Sequence, residues 1–251
     1  MSDADLAGRV AIVAGATGTI GRAVCIDLAA RGARIAVLYR SRSDDAAALA
    51  AGLPTPALAV PVDLASDASL DAALIAVERE LGAPGVLVNT VHAESRIVRV
   101  ADLSRADLDV QFASVAAHAA LVSRVLPAMR ETAWGRIVYV SGALMARPHP
   151  GFGAYGAAKA AASVLTRYLA LEEGRAGITA NIVAPGRVVD PADAEALDPE
   201  RAALSARLLE RTALGAFPTP AEVARAVGDL AAAGAITGQT VWVTGGEPIA
   251  A

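Results

Sequence analysis

The sequence predicts an α/β protein built on a doubly wound parallel sheet of about seven strands, with helices on both faces. Short β-branched runs alternate with alanine-rich stretches of helical length, and strands connected in this way need crossovers and lie parallel. The strand runs are almost continuously apolar, as burial on both faces requires. No repeat or linker divides the 251 residues, so we expect one domain over residues 1–251.

Each predicted strand is a short run of apolar, mostly β-branched residues. The seven runs are Val10–Ala14, Arg34–Leu38, Ala57–Val60, Val86–Asn89, Arg136–Val140, Thr179–Val183 and Thr240–Val243. Helices are expected to begin near Ile20, Asp44, Ser66, Arg105, Ala154 and Thr219. One proline-rich segment, residues 187–218, interrupts the alternation and contains a single helix candidate, Pro199–Ala213. An insertion of this kind is a candidate substrate lid.

Composition excludes several classes of protein. The net charge of -4 argues against a nucleic-acid or anionic-membrane surface. Although 55% of the residues are hydrophobic, no continuous run approaches the roughly 18 apolar residues of a membrane span. The N-terminal sequence has no basic and apolar regions of a secretory signal. Because the one cysteine, Cys25, cannot form an intramolecular disulfide, we expect a reducing, cytoplasmic location and a core position for Cys25.

A glycine-rich turn follows the first strand and opens the first helix. It reads Gly15-Ala16-Thr17-Gly18-Thr19-Ile20-Gly21. Glycines at such a turn let the backbone approach a pyrophosphate, which then rests on the helix N-terminus. The alternative is an ordinary glycine-rich connection, but the strand-turn-helix context favours a dinucleotide site of the Rossmann type.

Further motifs, in a fixed order, extend this pattern along nearly the whole chain. They are Val62-Asp63, Val86–Asn89, Ser141, Tyr155 with Lys159, Asn181–Gly186, Ile236–Gln239 and Gly245-Gly246. From Arg9 to Gly246 the chain resembles the short-chain dehydrogenase/reductase family, and most closely its compact branch of acyl-carrier-protein, polyketide and steroid reductases. The resemblance implies a nicotinamide cofactor and no metal. Beyond the glycine turn, it implies cofactor contacts from Asp63, Leu64, Asn89, Lys159, Pro185, Gly186 and Val188.

Tyr155 and Lys159 form the candidate catalytic pair. Residues at i and i+4 share one face of a helix. A neighbouring ammonium favours phenolate and should lower the tyrosine pKa from about 10. Tyr155 is therefore the candidate general acid that protonates a carbonyl oxygen as hydride arrives, and the resemblance implies that Lys159 also holds the nicotinamide ribose. The alternative is a surface Tyr and Lys on a helix.

The chain departs from the family pattern at several cofactor-facing positions. The middle glycine of the turn is Gly18 rather than residue 19, a spacing found in the epimerase-like branch. His92 replaces a glycine beside the expected nicotinamide pocket, either as a proton donor or substrate contact or as a solvated loop residue. Ser114 stands where the family's proton relay has an asparagine, and Asp190 stands where a threonine is common.

The position of the family's catalytic serine, thirteen residues before Tyr155, is occupied by Gly142. Either the strand end shifts so that the adjacent Ser141 serves, or the hydrogen bond that polarises the carbonyl is missing. Loss of such a donor costs about 10²–10³ in rate. The residues His92, His149 and Ser141 are the candidates to compensate.

Cofactor choice is determined at the end of the second strand. Enzymes of this fold that use NAD place a carboxylate there, whereas this chain has Arg40, Ser41 and Arg42 with no acid before Asp44. The arginines and serine suit a 2′-phosphate, so NADP(H) is favoured over NAD(H). The alternative is a basic, solvated turn.

The resulting hypothesis is an NADP(H)-dependent reductase of a ketone, either free or bound to a carrier protein. A bulky, apolar substrate of the acyl or polyketide type is favoured by the leucines of the candidate lid and by the substrate candidates His92, Met145, His149 and Phe152. The alternative is that the apolar residues only pack the lid's own helix. Two alternatives remain open: a nucleotide-binding oligomer partner without activity, and an isomerase or dehydratase with Tyr155 as base. We expect a homotetramer or dimer formed through Ala116–Val125 and Ala157–Leu171.

Overall fold

The computed structural model describes residues 6–190 and 205–247, which form one seven-stranded parallel sheet in the order β3-β2-β1-β4-β5-β6-β7. The strands are β1 Val10–Ala14, β2 Arg34–Tyr39, β3 Ala57–Pro61, β4 Pro84–Asn89, β5 Gly135–Val140, β6 Ile178–Pro185 and β7 Thr240–Val243. The predicted fold is confirmed. The strand order reverses between β1 and β4, and a crevice opens at such a switch point beyond the carboxyl ends of the strands.

Helices cover both faces of the sheet. They are α1 Thr19–Ala30, α2 Ser43–Ala51, α3 Asp67–Leu81, α4 Arg105–Glu131, α5 Gly153–Glu173 and α6 Pro220–Ala232. Their starts agree with the predictions to within one residue, because the chain supplies recognisable caps: the hydroxyls of Ser66, Ser104 and Thr219 accept hydrogen bonds at the starts of α3, α4 and α6. The lid helix was predicted too long. Residues 205–209 are helical and 210–213 are not, while 191–204 lie outside the described residues.

Two apolar layers hold the helices on the sheet. On one face Leu28 of α1 and Val227 of α6 pack on the strands, and on the other Leu74 of α3 and Leu121 of α4 do so. Burial of each such side chain stabilises the fold by roughly 1.5–3 kcal/mol. Cys25 lies in the first layer, and burial raises the pKa of its thiol to about 12, so it is an unreactive core residue, as expected.

By length and composition alone, α4 could cross a membrane. The sequence prediction looked for a continuous apolar run, which Gln111, His118 and Arg124 interrupt, whereas the mean hydropathy of α4 is still high. In this structure 44% of its most apolar window is buried. Buried core helices of water-soluble proteins meet the same criterion, so the finding is weak evidence for a span.

Candidate active site

Two cavities open at the carboxyl edge of the sheet. The larger, about 860 Å³, extends from the glycine turn to the loop after β4. The smaller, about 240 Å³, lies beyond β5 and β6. Most of the predicted cofactor residues line the larger cavity: Gly15, Thr17, Gly18, Thr19, Ile20, Gly21, Arg40, Ser41, Arg42, Asp63, Leu64 and Val188. A cleft of this size suits a dinucleotide.

The glycine turn has the shape that a pyrophosphate needs. Gly15 adopts φ +77°, which favours glycine, and a Cβ on Gly21 would lie only 2.1 Å from the Gly15 carbonyl oxygen. Gly18 precedes α1 in an extended conformation. The first N–H groups of a helix have no partner within it, and here residues 18–21 border the cavity. The turn therefore fits the cofactor expected from the sequence, and the displaced middle glycine does not close it.

The far end of the larger cavity is basic. Arg40 follows β2 directly, and Ser41 and Arg42 continue the same wall. Arg42 lies 3.8 Å from Asp45, and both side chains are about half exposed, so this pair is weak. No carboxylate lies at the end of β2, and the available groups fit a phosphorylated ribose.

Asn89, predicted to contact the cofactor, lies behind the wall of the cavity instead. It is fully buried, and its Oδ1 accepts a hydrogen bond from the Val91 backbone N–H at 2.9 Å. Its role in the structure is to fix the loop that follows β4. His92, an exposed residue of that loop, lines the larger cavity, as does Ser114, whose hydroxyl donates to the Gln111 carbonyl oxygen at 2.7 Å.

Tyr155 and Lys159 lie on one face of α5, as the i, i+4 spacing predicts. Tyr155 lines the smaller cavity, as do Pro185 and Gly186. Lys159 is 2% exposed; its Nζ donates to the Val140 carbonyl oxygen at 2.9 Å and lies 5.8 Å from the Tyr155 ring centroid. Lys159 is therefore a buried neighbour of Tyr155 and borders neither cavity.

The pKa of Tyr155 moves in the opposite direction to the prediction. Burial raises it, and burial lowers the pKa of Lys159 to about 7. Loss of water around both groups disfavours their charged forms, and this outweighs the attraction between phenolate and ammonium. Tyr155 therefore keeps its proton near neutral pH, as a proton donor must.

Ser141 lies outside the linings of both cavities in this structure. It is 4% exposed, and its Oγ lies 3.0 Å from Ser163 Oγ and 3.1 Å from Met145 Sδ, on the side of α5. Gly142 lines the smaller cavity, and a Cβ there would lie 2.9 Å from Tyr155 Oη. Successive residues leaving a strand point in opposite directions, so Ser141 and Gly142 cannot both face the cavity. Met145, a predicted substrate contact, borders neither cavity.

The smaller cavity contains the predicted His149 and Phe152 together with two arginines that sequence reasoning missed. Arg147 lies 3.1 Å from Glu247, and Arg187 follows Pro185-Gly186. The cavity is also lined by Leu144 and Leu208. The sequence contained a signal for Arg187, because this residue directly follows the Pro185-Gly186 motif, which lies at the site.

A buried polar chain behind the site was also missed. His118 of α4 is 1% exposed, and its Nε2 lies 3.1 Å from Thr166 Oγ1, while Asn89 Nδ2 lies 3.3 Å from its Nδ1. Because the Thr166 hydroxyl donates to the Ala162 carbonyl oxygen, His118 must donate from Nε2 and accept at Nδ1. Burial and the charge of Lys159 lower the His118 pKa to about 4, so the ring is neutral. The sequence contained a signal for His118, because it follows Ser114 by four residues and so lies on the same face of α4.

Tyr139 of β5 completes this buried region. Its ring lies 4.6 Å from that of His118, and Lys159 Nζ lies 4.9 Å from its centroid. Its hydroxyl is buried without a hydrogen-bond partner, and burial raises its pKa. Within residues 6–190 and 205–247, no cluster of three or more His, Cys, Asp or Glu side chains could hold a metal ion.

Comparison with known proteins agrees with this geometry. Residues 15–247 match the family model described as enoyl-(acyl carrier protein) reductase. A chloroplastic NADPH-dependent aldehyde reductase-like protein of Arabidopsis thaliana is 33% identical, over 96% of this chain and 94% of its own. The 3-oxoacyl-(acyl-carrier-protein) reductase FabG of Pseudomonas aeruginosa is 33% identical over 96% and 98%. BbsC of Thauera aromatica, a subunit of a hydroxy(phenyl)methylsuccinyl-CoA dehydrogenase, is 32% identical over 96% and 94%.

Proposed function

This chain belongs to the short-chain dehydrogenase/reductase family of oxidoreductases, and we propose that it reduces a ketone with NADPH, with Tyr155 as the proton donor. One observation carries the proposal: a tyrosine that keeps its proton lies on the wall of the smaller cavity, with a buried lysine one helical turn away. The bound nicotinamide would supply the hydride, and the glycine turn and the wall after β2 would hold the dinucleotide.

Tyr155 and Lys159 have different roles in the proton transfer. Tyr155 Oη donates its proton to the carbonyl oxygen, which becomes the hydroxyl of the alcohol. The phenolate left behind is stabilised by the ammonium of Lys159, whose Nζ is held by the Val140 carbonyl oxygen. With Gly142 at the usual serine position, the carbonyl oxygen receives no hydroxyl hydrogen bond from that side, so Tyr155 carries more of the activation than in relatives with a serine.

The preference for NADP(H) rests on the basic wall of the larger cavity. A 2′-phosphate placed beside Arg40 meets a guanidinium, whereas a ribose diol finds no carboxylate there. The printed name of the Arabidopsis relative, an NADPH-dependent reductase, supports the same preference.

The substrate is proposed to be a ketone with an acyl chain. Leu144, Phe152 and Leu208 give the smaller cavity apolar walls, and the FabG relatives act on carrier-bound 3-oxoacyl groups by name. The proposal therefore includes a carrier-bound substrate as well as a free one. The lid role of residues 187–218 stays a prediction; of its described residues, 187–190 and 205–218, Arg187 and Leu208 line this cavity.

Replacement of Tyr155 by Phe tests the mechanism directly. It removes the hydroxyl and leaves the ring, so NADPH binding, followed by cofactor fluorescence, should be unchanged while kcat falls about 10²–10⁴-fold. The matched control is Tyr168→Phe, on the exposed side of the same helix, which should leave kcat unchanged. Full activity of the Tyr155→Phe protein on a ketone that the native protein reduces would refute the mechanism.

A second candidate function is a nucleotide-binding subunit that supports an active partner. Gly142 favours it, because no side-chain hydroxyl meets Tyr155 there, and the BbsC relative is named as a subunit. Tight NADPH binding without reduction of aliphatic, aromatic or carrier-bound ketones would favour this function over the first.

A further inference from the structure

We infer that the substrate carries a carboxylate, which Arg187 binds inside the smaller cavity. The inference deepens the proposed function and rests on it for the identity of the site. It starts from the two guanidinium groups on the cavity wall, those of Arg147 and Arg187, which share the cavity with Tyr155.

The charge of Arg147 is already balanced. Its Nε lies 3.1 Å from Glu247 Oε1, within ion-pair distance although the two atoms are not aligned for a hydrogen bond, and the two side chains are 13% and 4% exposed. A buried pair of this kind is costly to break, because either partner alone is an uncompensated buried charge. Arg147 and Glu247 therefore form a neutral part of the wall.

Arg187 has no such partner among the described residues. No carboxylate there lies at ion-pair distance from its guanidinium, and its Nε, like that of Arg147, is buried without a hydrogen-bond acceptor. Its Cζ lies 5.6 Å from the Phe217 ring centroid, and this contact supports the guanidinium plane without neutralising it. A guanidinium that is partly withdrawn from water and unpaired is stabilised by an incoming anion.

The charge and size of the cavity favour a carboxylate. One uncompensated guanidinium matches one negative charge, and its planar fork matches the two oxygens of a carboxylate; a dianionic phosphate would leave one charge unpaired. A volume of about 240 Å³ equals roughly eight water-sized groups. The reacting carbonyl beside Tyr155 and the carboxylate beside Arg187 are thus separated by a short, apolar chain along Leu144 and Phe152.

The test compares oxo acids with their methyl esters, using pyruvate, acetoacetate, levulinate and 5-oxohexanoate as probes of increasing chain length. At least one acid should be reduced with a kcat/KM at least tenfold above that of its ester. Arg187→Gln should lower kcat/KM for that acid about 10- to 100-fold, mainly through KM, and leave the ester unchanged. Arg187→Lys should restore part of the loss. Arg175→Gln, an exposed arginine on the opposite edge of the sheet, is the matched control and should change neither.

A binding measurement separates this inference from the proposed function. The corresponding hydroxy acids can be titrated calorimetrically into the protein with NADPH, and this measurement needs no turnover. At least one hydroxy acid should bind ten times more tightly to the native protein than to the Arg187→Gln variant. Binding with this dependence but without any reduction upholds the anion site and overturns the reductase. Equal rates for acids and esters, with Arg187→Gln neutral for both, overturn the anion site and leave the reductase standing. Absence of both binding and reduction overturns both.

Discussion

Addition of a single methyl group at Gly142 measures how strictly the Tyr155 hydroxyl must be placed. Gly142 has φ -172°, an extended conformation open to any residue, so alanine introduces no backbone strain. Its Cβ, however, would lie 2.9 Å from Tyr155 Oη, while the two nearest ring carbons lie at 3.6 and 3.7 Å. Because ordinary contacts of this kind begin near 3.4 Å, the hydroxyl must move by about half an ångström, and the ring to which it is rigidly bonded must tilt with it.

The expected cost follows from that displacement. A shift of about 1 Å at a reacting group costs about 10²-fold in rate, so half of it costs roughly tenfold. Gly142→Ala should therefore lower kcat about tenfold and leave KM and cofactor binding unchanged. Gly142→Ser carries the same Cβ and adds a hydroxyl, which is worth about 10²–10³-fold if it polarises the carbonyl. The serine protein should then exceed the native one by about 10- to 100-fold.

The assay is NADPH oxidation at 340 nm (the absorbance of the reduced cofactor) under saturating ketone, with thermal melts to show that each variant is folded. The alanine protein is the control for the serine protein, because the two differ by one oxygen atom. If alanine retains the native kcat, the Tyr155 hydroxyl does not act from the position described. If serine is no better than alanine, a hydroxyl at this position does not assist the reaction.

Three further predictions test other parts of the molecule. NADPH should bind at least tenfold more tightly than NADH, about 1.4 kcal/mol, and Arg40→Asp should reverse the preference in fluorescence titrations; equal dissociation constants in the native protein would contradict this. Tyr168 and Leu171 are 60% and 82% exposed on α5, so we expect this helix to form an interface between copies of the chain. Light scattering should detect a dimer or tetramer at micromolar concentration and smaller species for Leu171→Glu. A monomeric native protein would contradict this prediction. The pKa of His118 is about 4 in the folded protein, below its value in the unfolded chain. As the pH falls, the unfolded state therefore takes up the proton first. The free energy of unfolding should fall by about 3 kcal/mol as the pH is lowered from 6.5 to 4. Denaturant melts should show that His118→Gln removes this part of the slope; an unchanged slope would count against the buried, neutral ring.

The sequence was sufficient for the fold and for bringing most of the predicted cofactor residues to one cavity. Continuous apolar runs located the seven strands, and the carboxyl ends of parallel strands meet at one edge, so the glycine turn, Arg40 and Asp63 had to lie along the same cleft. The placement of Tyr155 and Lys159 followed from helix periodicity alone. These features depend on local spacing, which sequence displays directly.

Side-chain direction and burial were harder to predict. The choice between Ser141 and Gly142 depends on which of two consecutive residues faces α5, and residue order does not determine where the strand's alternation ends. The pKa of Tyr155 was predicted in the wrong direction because spacing reveals a neighbouring ammonium and not the loss of water around both groups. His118 and Arg187 were missed because their significance lies in the partners that they have or lack across the fold.

The ion pair between Arg147 and Glu247 has a consequence for recombining this chain with its relatives. The two residues lie after different strands, far apart in sequence, yet they form one wall of the smaller cavity. A chimera in which an uncharged residue replaces Glu247 while Arg147 is retained, or the reverse, would leave a buried charge alone at a cost of about 3–5 kcal/mol. In a shuffled library the two positions must therefore come from the same parent sequence.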